Sequence, residues 1–232
     1  MKKLLLCALA VTAIHFSASA QTLNKLTAKE KQDGYKLLFD GKNTAGWHVY
    51  LGTDAGAWHA ENGALVLDTA AKEQGDLVTD KEYTNYELKI DWKISPGGNS
   101  GIIFGIHEDT TFHYTFFTGI EMQVLDDKLA EDNKQPNHLA GSQYDMIAPS
   151  HPAKPAGEWN SVILRKLNGH LTFWLNGQKV VEVQMGSPEW DALIQKSKFR
   201  KWPSFAKYQT GHISLQDHGA EVEYRNIRIK QL

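Results

Sequence analysis

Residues 84–94 read Thr-Asn-Tyr-Glu-Leu-Lys-Ile-Asp-Trp-Lys-Ile. Tyr86, Leu88, Ile90, Trp92 and Ile94 alternate with Glu87, Lys89, Asp91 and Lys93. Successive side chains of a strand point to opposite sides, so this segment has one apolar face for a core and one charged face for water. Such alternation belongs to antiparallel sheets that are covered on one side. Weaker runs of the same kind occupy 35–39, 64–67, 101–107, 160–167, 170–175, 179–184, 212–216 and 222–230, separated by glycine and asparagine turn signals. Asn168-Gly169 and Asn176-Gly177 are hairpin turns, because a two-residue type I′ turn needs positive φ at both positions. Only 188–199 reads as a full helix, with Ser187 as N-cap, Pro188 in the first turn and Trp190, Leu193 and Ile194 on one side. A shorter one fits near 27–33. Many strands, tight hairpins and almost no helix predict an all-β fold, a jelly-roll sandwich of two antiparallel sheets with one short helix. A closed barrel is the alternative, since a propeller would show a repeat.

The first residues have the layout of a secretory signal peptide. Lys2 and Lys3 precede an apolar stretch over 4–16, and Ser17-Ala18-Ser19-Ala20 stands before Gln21, which predicts cleavage after Ala20. The stretch is shorter than the roughly 20 residues that span a bilayer, and no later segment reaches that length, so no membrane insertion is expected after cleavage. Cys7 lies in this segment behind Leu6, where a lipoprotein signal would carry a small residue, and it is the only cysteine. A chain starting at Gln21 therefore has no disulfide and no thiolate metal ligand. Without Lys2 and Lys3, 23 basic face 27 acidic side chains. That balance gives no electrostatic reason to expect nucleic acid or an anionic membrane as partner. Residues 21–232 suit a single domain, exported to the periplasm or the extracellular space.

The chemistry is expected on a second strand. Residues 119–127 read Gly-Ile-Glu-Met-Gln-Val-Leu-Asp-Asp, which puts Glu121 and Gln123 on one face and Ile120, Met122 and Val124 on the other. Neighbouring segments rich in His, Asn, Tyr and Trp suggest that this polar face lines a cleft instead of open solvent. Residues 126–157 follow without periodic pattern and with Pro136, Pro149, Pro152 and Pro155. Loops of that length inside a domain are uncommon and usually functional.

Several motifs in order resemble the 3-keto-disaccharide hydrolase family. They are Leu37-Leu38-Phe39-Asp40-Gly41-Lys42 with Gly46-Trp47, Asn99-Ser100-Gly101-Ile102, the Glu121 strand, Ala140-Gly141-Ser142-Gln143-Tyr144-Asp145, Glu158-Trp159-Asn160, Leu175-Asn176-Gly177, and Leu215-Gln216-Asp217-His218-Gly219 through Arg225-Asn226-Ile227. The resemblance runs from about Gly34 to Leu232 and implies a concanavalin-like jelly roll acting on sugars. It further implies processing of glycosides already oxidised to a ketone at C3, by a 1,2-lyase step followed by hydration. The ketone acidifies the C2 proton, so a base can remove it, an enediolate forms, and the glycosidic oxygen leaves C1. Such a site needs a base, a stabiliser for the enediolate and an acid for the departing oxygen.

Glu121 is the first candidate for acid or base, since a strand holds it more rigidly than a loop could. Gln123 cannot titrate and is cast as a hydrogen-bond partner for substrate. Asp126 reaches the same face only at a bulge or strand end. Glycosidases on this architecture can use a strand of the form Glu-x-Asp-x-x-Glu. Here Gln123 replaces the middle acid and the shorter Asp126 the last, which makes the 5–5.5 Å carboxyl spacing of retaining hydrolysis hard to reach. His107 and His138 are candidate bases, because histidine titrates near neutral pH. Either could join Glu121 and Asp126 around a divalent metal, although no cofactor is required by the sequence and no tight ligand spacing indicates one. Asn99, Tyr144, Gln216 and His218 are candidates for binding sugar hydroxyls or rings, each with an ordinary structural reading beside it. Arg225 either stabilises an enediolate or, as we favour, pairs with an acidic neighbour. Trp202, beside Pro203 and basic residues, is the tryptophan expected to be most exposed, with 196–207 as a lid or subsite wall.

The preferred function is thus cleavage of a 3-keto-glycoside or another small carbohydrate by elimination and rehydration. The alternatives are a conventional glycoside hydrolase using Glu121 and Asp126, and a carbohydrate-binding module without catalysis.

Overall fold

A computed structural model describes residues 22–232. The predicted signal segment and its cleavage site, residues 1–20, lie outside the described residues. A five-residue helix α1 (Ala28–Gln32) comes first. The strands follow as β1 (Lys36–Leu37), β2 (Trp47–Val49), β3 (Trp58–Glu61), β4 (Ala64–Leu67), β5 (Leu77–Thr79), β6 (Tyr86–Ile94), β7 (Asn99–Ile106), β8 (Ile120–Leu125), β9 (Asn160–Leu167), β10 (His170–Leu175) and β11 (Gln178–Gln184). Helix α2 (Pro188–Lys196) precedes β12 (His212–Leu215) and β13 (Val222–Gln231).

These strands form two antiparallel sheets stacked as a jelly-roll sandwich. The larger runs β11-β10-β9-β6-β13-β4-β3 with β1 also paired to β13, and the smaller runs β2-β5-β12-β7-β8. The 84–94 alternation sits at the centre of the larger sheet, where β6 buries every second residue between β9 and β13. The two inner faces meet through large side chains, with Phe104 of β7 edge-on to Phe173 of β10 at 5.9 Å. Tyr86, Trp92 and Tyr224 are among the largest fully buried residues. Each such ring contributes about 1.5–3 kcal/mol by leaving water. One polar tie also crosses the core: Ser100 donates to the Gln216 carbonyl at 2.7 Å, and its hydroxyl lies 2.8 Å from that of Tyr224.

Both predicted hairpins form, with Asn168, Gly169, Asn176 and Gly177 all at positive φ. Asn62-Gly63 turns β3 into β4 in the same way. The helix expected over 188–199 is shorter. It starts as anticipated, with the Ser187 hydroxyl accepting from the Trp190 amide at 3.1 Å, but stops at Lys196. Ser197 adopts extended ψ and accepts from the Phe199 amide at 3.2 Å, which starts a separate 3-10 turn over Lys198–Lys201. A serine that offers its own acceptor to the following amide competes with helix continuation.

The N-terminal segment is fastened to β13. Asn24 and Asn226, both at positive φ, exchange backbone-to-side-chain hydrogen bonds at 2.8 and 2.9 Å. Helix α1 opens with a reciprocal Thr27–Glu30 capping box, and Glu30 pairs with Arg228 at 2.6 Å.

Candidate active site

The smaller sheet turns Ile102, Phe104, Ile120, Met122, Ile213 and Leu215 toward the core. The alternate residues of the same strands face the other way. Their register places Glu121 beside Ile103, then Ser214, Val78 and His48, in one row across all five strands. A second row brings Gln123 beside Gly101, with the Gln216 amide bonded to the Gly101 carbonyl at 2.9 Å. This polar face is not open to water, since all six residues of β8 are buried. The long segment after β8 accounts for part of that cover. Gln123 accepts from Gly141 through its carbonyl and donates to the Ser142 carbonyl, while Tyr144 donates to the Glu121 carbonyl at 3.1 Å. An exposed edge strand is thereby capped by its own chain.

Glu121 is only 7% exposed, and among the described residues no donor hydrogen-bonds its carboxyl group. It lies directly over Gly101, where a Cβ would stand 2.4 Å from Glu121 Oε1. Burial pushes its pKa up to about 8, against the opposing pull of the Lys198 ammonium; Asp76 and Asp132 add to the rise. Lys198 Nζ sits 4.2 Å from the centre of the Tyr144 ring and within 6 Å of the Phe199 and Trp202 rings. Among the described residues no carboxylate oxygen is within 4.0 Å of that ammonium. It is a cation held by aromatic faces.

Behind Lys198, His138 and Tyr144 form a closed network. His138 Nδ1 meets Asp132 at 2.7 Å and Nε2 meets Asp145 at 3.1 Å, while the Tyr144 hydroxyl donates to Asp132 at 2.8 Å. The other Asp145 oxygen accepts from the Lys198 amide at 2.6 Å. Both nitrogens of His138 are thus engaged by carboxylates, an arrangement that orients the loop and the Tyr144–Lys198 pair.

A cleft of about 640 Å³ opens beside this face, lined by Tyr50, Asp76, Tyr114, Thr115, Gln216 and His218 among others. Asp76 accepts from the Thr115 hydroxyl and from the Asp217 amide at 2.9 Å. Burial outweighs these bonds and raises its pKa to about 6. Gln216, 7% exposed, leaves its Oε1 without a donor. Asn99 Oδ1, at the start of β7, is likewise buried and unpartnered.

The remaining predicted residues are placed elsewhere or tied down. His107 stacks on Tyr208 at 4.2 Å, and no hydrogen bond or ring contact among the described residues joins it to Glu121. Asp126 spends both oxygens on backbone amides, those of Gly97 at 2.8 Å and Lys128 at 3.0 Å. Gln123 Oε1 accepts from the Val124 amide at 3.2 Å. Arg225 belongs to the larger sheet, where it lies 3.8 Å over the Trp159 ring and 3.7 Å from Asp91. Trp202 is half-buried instead of exposed, because Phe116, Phe117 and Phe199 pack around it. Among the described residues no three His, Cys, Asp or Glu side chains are grouped so as to hold a metal ion.

A family model for the 3-keto-alpha-glucoside-1,2-lyase-like domain matches residues 34–230. The chain belongs to that family. A 3-keto-disaccharide hydrolase of Bacteroides thetaiotaomicron is 34% identical to this lyase-like domain protein, over 95% of this chain and 87% of the relative. A crystal structure of a candidate glycosyl hydrolase from Parabacteroides distasonis superposes with a TM-score of 0.85 at 35% identity, covering 91% of this chain and all of the other. A carbohydrate-binding module of Bacillus subtilis, at 11% identity and a TM-score of 0.51 over 80% of this chain and 96% of the other, shares the fold alone. Within the lyase-like domain, Asp76, Thr115 and Lys198 are residues of the candidate site that the sequence does not single out. Asp76 precedes a three-residue strand, and Lys198 sits in the 196–207 segment, expected as a lid or subsite wall with no role for this residue in particular. Asp76 and Lys198 act on Glu121 through their charges, and Thr115 bonds Asp76, relations that only the fold creates.

Proposed function

We propose that this protein cleaves 3-keto-glycosides by elimination and rehydration, with Glu121 as the proton-transferring group. The observation that carries the reading is a buried carboxyl group without a hydrogen-bond donor, raised to about 8 and within the electrostatic influence of a lysine ammonium held by aromatic rings. A base of that strength matches a C–H acidified by a neighbouring ketone better than an ordinary carboxylate does. Ionised Glu121 takes the C2 proton, the electron pair moves into an enediolate stabilised by Lys198, and the C1–oxygen bond breaks. The departing oxygen takes up a proton. Water then adds to the unsaturated sugar at C1 and a proton returns to C2, giving a 3-keto sugar and the free leaving group. The homologous 3-keto-disaccharide hydrolase supports the substrate class. A paired-carboxylate mechanism finds no support in Asp126, whose oxygens cap two backbone amides. The N-terminal layout of residues 1–20 supports export as the setting.

The test is turnover of 3-keto-trehalose and 3-keto-lactose beside the unoxidised sugars, in heavy water. Turnover of the keto sugars with deuterium at C2 is expected, and turnover of the unoxidised sugars alone would reject the mechanism. E121Q should reduce kcat at least about 100-fold while still binding substrate. Because the base must be ionised, kcat/KM should climb with pH to a plateau above about 8. Binding without turnover would favour a carbohydrate-binding module.

A further inference from the structure

One wall of the cleft carries an aromatic step that the proton transfer does not use. Tyr114 and Phe116 stack with centroids 5.0 Å apart and planes 6° from parallel, and Phe117 meets both edge-on. Trp202 supports them, 5.4 Å from Phe116 and 5.2 Å from Phe117, and Lys198 lies over Trp202. Ring contacts thus link Tyr114 and Phe116, which line the cleft, through Trp202 to Lys198, whose charge acts on Glu121. At 56% exposure, Tyr114 is the one aromatic among the exposed large hydrophobic residues described. A lone exposed apolar side chain needs no explanation, but this ring packs on two others and lines the same cleft as Gln216. Gln216 in turn has a buried Oε1 without a donor, a deficit that a ligand hydroxyl can satisfy.

We propose that the Tyr114–Phe116 step is the leaving-group subsite. It takes the flat apolar face of the ring that departs from C1, pyranose or aryl, while the Gln216 amide bonds a hydroxyl of the ligand. The reacting sugar lies at the Lys198 end of the wall and the departing ring at the Tyr114 end. This rests on the cleavage reading above, and it adds what that reading leaves open, which residues select the leaving group and by what chemistry.

Three substrates of the mature protein separate the outcomes: 3-keto-lactose, a p-nitrophenyl 3-keto-glucoside and a methyl 3-keto-glucoside, whose leaving group has no flat face. Y114A should raise KM about 5- to 10-fold for the first two and change kcat/KM for the methyl compound less than twofold, while Y114F keeps the stacking and the wild-type KM. A loss confined to the sugar or to the aryl substrate also supports the subsite and identifies which ring occupies it. Equal changes on all three substrates, or none on any, would overturn the assignment. A wild-type protein inactive on all three would instead overturn the cleavage reading and the subsite with it, a result distinct from an active wild type with a silent Y114A.

Discussion

Gly101 decides how Glu121 can sit. Its missing side chain leaves room for the carboxyl group, and a methyl there would overlap Oε1 and the carboxyl carbon. In G101A the carboxyl must swing away while β7 keeps its pairing, so we expect a folded protein with kcat/KM down roughly 100-fold. Wild-type activity in a well-folded G101A would mean that Glu121 is not confined by this contact. The sequence identified Glu121 because strand alternation assigns a face directly, and Gln216 because it stands at a strand end beside a turn. It also singled out His138, whose chemistry suits proton transfer, but only the fold reveals the two aspartates that occupy its nitrogens. The 196–207 segment reads as a lid or subsite wall, but nothing in it distinguishes Lys198 from Arg200 or Lys201; its aromatic neighbours come from the 198–202 turn and from Tyr144.

Elements differed in legibility for a physical reason. β6 is nine residues long with one dry and one wet face, so its period shows. β5 is three residues, all buried, β2 is as short and β3 has four, so there is no period to find. The end of α2 was misread because the apolar spacing continues past Ser197 while the backbone does not. The start of that helix is set by a single hydroxyl. S187A should lower stability by about 1 kcal/mol, read as a lower urea midpoint with an unchanged slope. A loss below about 0.3 kcal/mol would show that packing of Trp190 fixes the helix without its cap.

Across the whole molecule the carboxyl groups act in opposite directions on stability. Glu30 is lowered to about 2 despite its burial, by the Thr27 amide and the Arg228 guanidinium. Its contribution is complete above the unfolded value of 4.5 and is lost as pH falls toward 2. Glu121 is raised, so the native state binds its proton more tightly than the unfolded chain, and stability falls as pH rises from about 4.5 to 8. E121Q should therefore be more stable than wild type at pH 9, by roughly 1–3 kcal/mol, with little difference at pH 4. Equal melting temperatures at pH 9 would place the carboxyl in a wetter setting than its burial indicates. The pairing of Asn24 with Asn226 has a consequence in time as well as in space. Synthesis delivers residue 24 long before residue 226, 202 positions later, and β13 is also the strand that joins β6 to β4 and β1. Until it arrives, the larger sheet is two fragments with bare edges facing a gap, each open to pairing with another chain, and β1 has no strand beside it. A chain halted before residue 222 would be a pair of unjoined half-sheets, not a smaller sandwich.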